Sequence, residues 1–315
     1  MGDQTSNTNQ QEFEQKLINQ IATEAITEQR RARRWGVFFK FLFAGYVLLF
    51  FLLYLPFDWG GGAFIGGQHT ALVDIDGVIA SNTEANADYI VSGLRAAFED
   101  SNTAGVILRI NSPGGSPVQA GYVNDEIQRL RDLHPEIPLY AVITDICASG
   151  GYYIAAAADE IYANQASVVG SIGVVMSGFG FVDAIEKLGI ERRLMHAGEN
   201  KGFLDPFSPL NPDEVKHVDK VLNDIYEQFI NVVKSGRGDR LQENDKLFSG
   251  LIWTGEESLA LGLVDGLGSA GYVAREVIGV EDIIDFTRRE NYLDRFANKI
   301  GAVVARILIS KIEFR

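Results

Sequence analysis

An uninterrupted apolar segment near the start of the chain most strongly constrains how this sequence can fold. Residues 41–57 (FLFAGYVLLFFLLYLPF) are 17 consecutive positions without a charged side chain. At a helical rise of about 1.5 Å per residue the segment is roughly 26 Å long, close to the apolar thickness of a bilayer. Starting at Trp35 lengthens it to 23 residues, with Lys40 as its only charge. The sequence therefore predicts a transmembrane helix over residues 35–57 that contacts the lipid bilayer.

Basic residues are unevenly distributed around this segment. The N-terminal flank holds Arg30, Arg31, Arg33, Arg34 and Lys40, and the next basic residue is Arg95. Because flanking Lys and Arg favour the cytoplasmic side, residues 1–34 are predicted to be a cytoplasmic leader and the main domain to lie outside, as in a single-pass protein of a bacterial inner membrane. A cleaved signal peptide is the alternative, but its apolar core is typically about 7–15 residues and its leader is short.

Composition excludes several classes of function. The formal net charge of −14 argues against a nucleic-acid partner, since phosphate binding needs a basic surface. The single cysteine, Cys147, rules out a disulfide within the chain. Because no His, Cys or carboxylate group has metal-ligand spacing and no dinucleotide or phosphate-loop motif is present, neither a metal nor another cofactor is expected.

The remaining chain predicts one large α/β domain. A Gly-rich linker covers residues 58–68, the domain covers residues 69–285, and a basic amphipathic segment covers residues 286–315. Strands are predicted at 69–80, 104–111 and 139–144, with further strand–helix steps at 161–164, 174–176, 181–188 and 193–196; helices are predicted at 84–99, 119–133, 151–158 and 213–233. This alternation, with an apolar run at 104–111, is typical of a largely parallel sheet covered on both faces.

Three loops at the ends of predicted elements carry the candidate chemistry. Residues 111–115 (NSPGG) form a turn whose amides can point at one spot. Ser149 lies between a strand and an Ala-rich helix, where helix amides favour developing negative charge. On this segment alone a simple N-cap, a position that serine prefers, is the favoured interpretation of Ser149. Lys201 stands among apolar residues and prolines, although most lysines are merely solvated.

The ordered motifs NSPGG (111–115), ASGGYYIA (148–155), VGSIGVVM (169–176) and a lysine followed by DPFSP (205–209) resemble signal peptide peptidase A and its relatives. These are membrane-bound serine peptidases whose core is similar to the Clp protease and crotonase fold, a spiral of β-β-α units. The resemblance covers residues 69–277, in a single core. It implies peptide substrates such as remnant signal peptides, and a ring-like homo-oligomer.

The resemblance also implies roles for individual residues. Ser149 is then the nucleophile and Lys201, 52 residues later, the general base. The amides of Gly114 and Gly150 are the implied oxyanion hole, and Ser171 is implied to orient the lysine amine. In single-core members, Ser149 and Lys201 are hypothesised to come from adjacent subunits.

A lysine base must be uncharged, which burial among apolar side chains favours. Asp205 would instead stabilise the ammonium, so its carboxylate is predicted to point away from Lys201. Alternatives are His196 as the base, Cys147 as the nucleophile, a crotonase-type acyl-CoA enzyme that uses the Gly114 amide, and a catalytically inactive membrane scaffold.

Overall fold

The structure, a computed structural model, describes residues 28–31, 33–50 and 67–289. The chain divides into two compact units, residues 1–66 and 67–315. Most of the predicted leader, the predicted linker up to residue 66 and the C-terminal segment beyond residue 289 lie outside the described residues. The exact domain boundaries therefore stay predictions.

The first unit contains a helix, α1, at residues 33–50, preceded by helical residues 28–31. Its aromatic side chains are exposed, with 55% of Trp35 and 76% of Phe41 accessible. Among the helices that the structure describes, none is both long enough and apolar enough to cross a membrane. The predicted transmembrane helix at residues 35–57 is thus not supported by the described residues, and its portion from residue 51 onward lies outside them.

The second unit is built on one mostly parallel sheet. Its strands within residues 67–289 are β1 (His69–Asp76), β2 (Thr103–Ser112), β3 (Leu139–Ala148), β4 (Glu160–Ala163), β5 (Val168–Gly170), β6 (Ile252–Thr254), β7 (Gly266–Leu267) and β8 (Ile283–Asp285). Their order is β6-β5-β3-β2-β1-β8, with β4 also on β3 and β7 on β4. Among the strands in the described part of the chain, only β5 and β6 pair in antiparallel fashion. The mixed α/β fold with a largely parallel sheet is confirmed.

The numbered helices of the second unit are α2 (Ala87–Glu99), α3 (Pro117–Leu133), α4 (Gly150–Ala155), α5 (Val182–Lys187), α6 (Pro212–Arg237), α7 (Gly255–Ala260) and α8 (Ala270–Tyr272). Helix α5 buries no residue and Ala270 of α8 packs on the opposite face of the sheet, whereas α2, α3, α4 and α6 pack on the larger core. Val73 and Leu108 point into this core, while Leu72 and Ile107 point into a smaller cluster on the other face. Because successive strand residues face opposite sides, burial on both sides explains the continuous apolar runs.

Strand β3 positions the N-terminal end of α4. It pairs with two different strands along the same edge. Its first half pairs with β4, from Tyr140 to Ile143, and its last residues pair with β5, from Ile146 to Ala148. Between these halves its register against β2 shifts, so that Ser112 lies opposite Cys147. The shift brings the ends of β2, β3 and β5 together immediately before α4 begins.

Two predicted strands are wrong. Residues 174–176 and 193–196 form no strand, and their side chains reach high exposures, 86% for Val175 and 90% for Met195. Both segments belong to residues 174–211, here called the arm, in which most side chains are exposed. Their apolar residues suggested a buried strand, but no strand of the sheet pairs with them. The region 181–188 does contain a helix, α5.

A buried carboxylate links α2 to α3. Glu126 accepts hydrogen bonds from Arg129, at 2.6 and 3.0 Å, and from Arg95 of α2, at 2.7 Å. These bonds, first from Arg129 and then from Arg95, lower the pKa of Glu126 to about 2. The stability from this cluster is therefore fully present above the ordinary glutamate pKa of 4.5 and is lost as the pH falls through about 2.

Replacing this carboxylate is expected to weaken the fold in a pH-dependent way. Because both arginines are half exposed, solvent screening limits the loss for Glu126→Gln to about 1–2 kcal/mol of unfolding free energy at pH 7. The difference from the unmodified protein should shrink as the pH falls towards 2. Urea unfolding at several pH values measures it, with the exposed Glu227→Gln on α6 as the control. Equal stabilities at pH 7 would contradict the prediction.

Candidate active site

Ser149 occupies a strained corner between β3 and α4. Its backbone has φ 52° and ψ −122°, in a region that non-glycine residues rarely adopt. The Ser149 amide donates to the Gly170 carbonyl at 2.8 Å, and the side chain makes no capping hydrogen bond to the helix. The simple N-cap interpretation is therefore not what the geometry supports. Such strain concentrates at functional sites, and a sharp strand-to-helix turn is how hydrolases expose a nucleophilic serine.

The glycine-rich loop after β2 packs directly against this corner. A Cβ added to Gly114, whose φ is 97°, would lie 2.6 Å from the Gly150 amide nitrogen and 2.7 Å from the Ser149 Cβ. The loop is also tied to the segment after β1, because Ile79 donates to the Gly114 carbonyl at 2.9 Å and accepts from Ser116 at 2.8 Å. Only a residue without a side chain can approach the corner this closely.

The two glycines of this loop, Gly114 and Gly115, have different surroundings. The Gly114 amide donates to the Ser112 hydroxyl at 3.1 Å, and that hydroxyl donates to the Gly77 carbonyl at 2.6 Å. Gly115, the next residue, lines the cavity in front of Ser149, as does Gly150. The sequence prediction named Gly114 and Gly150 and did not consider Gly115, although the same motif contains it.

Ser171 lies beside Ser149 at the end of β5. It too has a positive φ, 51°, and its amide donates to the Leu251 carbonyl at 2.8 Å. Because the Ser149 amide donates to Gly170, one short strand supports both serines. Both line the same cavity, so the structure brings together Ser149, Gly150, Ser171 and the Gly114–Gly115 loop.

The cavity in front of Ser149 has a volume of about 740 Å³. One wall is the face of α3 that carries Pro117, Val118, Gly121, Tyr122 and Asp125, and the opposite wall includes residues of α6. The remaining lining residues are Gly115, Ser149, Gly150, Tyr153, Ser171, Gly173, Val174, Val175, Ile225, Gln228, Phe229, Ser249 and Gly250. A concave, mostly apolar cavity with a few polar groups is typical of a site for an organic ligand.

Lys201 is not among the residues that line this cavity. It lies on the arm, is exposed, and its amide donates to the Gly198 carbonyl at 3.0 Å. Exposed apolar side chains surround it along the arm, including Phe203 at 37% and Leu210 at 74%. Within one chain Lys201 therefore does not line the cavity that Ser149 faces.

Asp205, the carboxylate of the DPFSP motif that follows Lys201, has hydrogen-bond partners other than Lys201. Arg192 donates to both of its oxygens at 3.3 Å, and the Ser208 hydroxyl donates at 2.8 Å. The hydrogen bonds from Arg192 and Ser208 lower the pKa of Asp205. The carboxylate is therefore engaged elsewhere, which agrees with the expectation that it points away from Lys201.

The two alternative catalytic residues find little support. Cys147 is completely buried, and burial raises the pKa of its thiol, so the reactive thiolate is disfavoured. His196 lies on the arm, its Nδ1 2.9 Å from the Gly198 carbonyl oxygen, and it does not line the cavity.

Sequence reasoning missed the residues that shape the far part of the cavity. Asp125 and Tyr153 line it; Asp125 belongs to no motif, and Tyr153 lies in the motif ASGGYYIA but was given no role. The available signal was the helical spacing of Pro117, Gly121 and Asp125, which places all three on one face of α3.

The strained serine at the end of a parallel strand is typical of hydrolases that use a serine nucleophile. Residues 131–282 match the sequence profile of peptidase family S49. “Putative protease slr0021” of Synechocystis sp. is 33% identical over 199 residues, which are 63% of this chain and 69% of that protein. “Putative signal peptide peptidase SppA” of Enterococcus faecium is 31% identical over 229 residues, 70% of this chain and 63% of that protein.

A third relative is longer. “Na(+)/H(+) antiporter NhaA” of Brucella abortus is 44% identical over 188 residues, 59% of this chain but only 25% of that protein. The chain thus spans less than two thirds of the Brucella and Enterococcus relatives. The chain belongs to peptidase family S49, and the protease names of its relatives support a serine protease. The mostly parallel fold fits a Clp protease/crotonase-like domain of that family, and the acyl-CoA alternative is disfavoured.

Proposed function

We propose that this chain is a serine endopeptidase in which Ser149 is the nucleophile and Lys201 the general base. The observation that carries the proposal is the strained corner at Ser149, which faces a cavity of about 740 Å³ beside a glycine-rich loop. A serine without a base is a poor nucleophile. Since Lys201 lies outside the cavity of its own chain, the base is proposed to come from the arm of a neighbouring subunit.

The proposed reaction follows from these positions. The lysine amine takes the proton of the Ser149 hydroxyl while the Ser149 Oγ attacks the carbon of the peptide carbonyl. The amides of Gly114 and Gly150 then stabilise the negatively charged oxygen. For this, the Gly114 amide must either break its hydrogen bond to the Ser112 hydroxyl or donate to both oxygens at once. The protonated lysine gives the proton to the departing amine. The rest of the substrate remains bound to Ser149 as an acyl ester. Water activated by the neutral lysine hydrolyses that ester.

Ser171 is proposed to orient the lysine amine. It lies on the cavity wall beside Ser149, and its hydroxyl could accept a hydrogen bond from an amine that enters the cavity. Burial of Lys201 between subunits would also remove water from it and favour its neutral form. The exposed apolar residues of the arm, such as Phe179 at 82% and Leu188 at 72%, support a homo-oligomer in which the arm is covered.

Apolar peptides, including remnant signal peptides, are the proposed substrates. Val118, Ile225 and Phe229 give the cavity apolar walls that suit such chains. The proposed place of action is the outer face of the cytoplasmic membrane. Support for this comes from residues 41–57, which contain no charged residue, and from the exposed apolar side chains in α1.

Labelling with a fluorophosphonate probe tests the proposed roles directly. The full-length protein is expected to take up the probe at Ser149, as located by peptide mass spectrometry, because only an activated serine is acylated quickly. Ser149→Ala should abolish the labelling, and Lys201→Ala should reduce its rate at least about 100-fold. Ser249→Ala, another serine of the same cavity, is the matched control and should label normally. A protein that does not label, or labels equally without Lys201, would be an inactive scaffold or use another base.

A further inference from the structure

The cavity in front of Ser149 combines apolar walls with a single charged group. Val118 and Tyr122 on α3 and Ile225 and Phe229 on α6 make its sides. Among the described residues that line the cavity, Asp125 alone carries a charge. It lies two helical turns beyond Pro117 on the same face of α3, so its carboxylate is roughly 12 Å along the helix from the end that packs beside the Ser149 corner.

The carboxylate of Asp125 has no competing cation in the described part of the chain. None of the ion pairs among residues 67–289 includes Asp125. Its neighbour is Tyr153 of α4, whose ring packs on Phe229 with 5.2 Å between the ring centroids. Burial and then the charge of Asp125 raise the pKa of the Tyr153 hydroxyl, so that group stays neutral and able to donate or accept hydrogen bonds.

We infer that Asp125 is a specificity-determining residue, which gives the peptidase a preference for a Lys or Arg side chain at the substrate position that occupies this part of the cavity. The apolar walls suit the methylene stem of such a side chain, and the carboxylate at the far end suits its cationic head. This inference rests on the proposed function, because it assigns a subsite of the proposed peptidase. It makes the accepted substrates wider than purely apolar peptides.

Solvent reaches this carboxylate, which limits the size of the preference. Asp125 is exposed, and pairs between exposed charges are typically worth only a small factor in affinity. A Lys side chain is therefore expected to be favoured by about two- to fivefold over an uncharged side chain of the same length, and less at high salt.

Matched peptides cleaved by the full-length protein test the inference. Internally quenched, leucine-rich peptides carry either Lys or norleucine at each of the three positions before the cleaved bond, and kcat/KM is measured for each pair. At one position the Lys peptide should be favoured about two- to fivefold, and Asp125→Asn should reduce the ratio to about 1. Asp132→Asn is the matched control, because Asp132 is an exposed residue of α3 that does not line the cavity.

The outcomes separate this inference from the proposed function. If the peptides are cleaved but no position favours Lys, or if Asp125→Asn keeps the preference, the inference is wrong and the peptidase proposal stands. If no peptide is cleaved and the fluorophosphonate probe does not label Ser149, the proposed function is wrong and the subsite fails with it. If Asp125→Asn and Asp132→Asn change the ratio equally, the effect comes from net charge and the inference is also wrong.

Discussion

Mixing chains that carry Ser149→Ala with chains that carry Lys201→Ala is expected to restore peptidase activity that neither variant has alone. Each variant by itself should lose at least about 100-fold in kcat/KM, since one lacks the nucleophile and the other the base. In an oligomer that joins the arm of one subunit to the cavity of the next, random mixing creates some sites with both residues intact. In an equal mixture these are roughly one site in four, because the two subunits contribute independently.

The reason for this expectation is the position of Lys201. It is exposed on the arm and does not line the cavity of its own chain, whereas Ser149 does. The two variants are mixed under conditions that allow subunit exchange, which native mass spectrometry can verify, and hydrolysis of a leucine-rich peptide is followed. A chain that carries both substitutions is the control, and its mixture with either single variant should stay inactive. If subunits exchange and activity does not return, the base is not shared between subunits.

The second large effect is expected from Gly114→Ala. A methyl group at this position would lie 2.6 Å from the Gly150 nitrogen and 2.7 Å from the Ala148 carbonyl oxygen, and the φ of 97° disfavours any side chain. The corner would have to move, and the oxyanion donors would move with it. We expect kcat/KM to fall by about 100-fold or more, the usual result of losing one oxyanion donor. Backbone strain should also lower the unfolding free energy by about 1–3 kcal/mol.

Peptide hydrolysis and urea unfolding of the same preparation separate the two effects. Gly271→Ala on α8 is the matched control, because its added Cβ meets nothing within 4 Å. That variant should keep its activity and should be as stable as the original or more stable by about 0.5–1 kcal/mol. A Gly114→Ala protein with nearly full activity would show that the loop can adapt and that its close approach to the corner is not required.

Much of the second unit could be predicted from the sequence because its strands are buried on both faces. A continuous apolar run at β2 indicated a covered parallel sheet, and the predicted helices at 119–133 and 213–233 lie within four residues of α3 and α6 at each end. The order of the motifs placed Ser149 at a corner, where the structure has it. Strands β5 to β8 were not identified in advance. They are two or three residues long, so pairing with neighbours rather than local pattern determines them.

The arm could not be predicted for a different physical reason. Its apolar residues have the pattern of buried segments, yet Val175 and Met195 are exposed in the single chain. A sequence pattern records that a residue should be covered, but not whether its own chain or another molecule covers it. The same limit applies to Lys201, which does not line the cavity of the serine that it is proposed to activate. Asp125 escaped notice because it is one carboxylate among 42 acidic residues in the chain.

The short strand β5 has a consequence for how such an enzyme could change. Main-chain hydrogen bonds join the Ser149 amide to the Gly170 carbonyl and the Ser171 amide to the Leu251 carbonyl. Because no side chain takes part in these bonds, the spacing of the two serines does not depend on the identity of the side chains around them. Residues of α3 and α6 could therefore be exchanged, by evolution or by an engineer, with little disturbance of that spacing. Substrate choice and bond cleavage would then be separately adjustable properties of one scaffold.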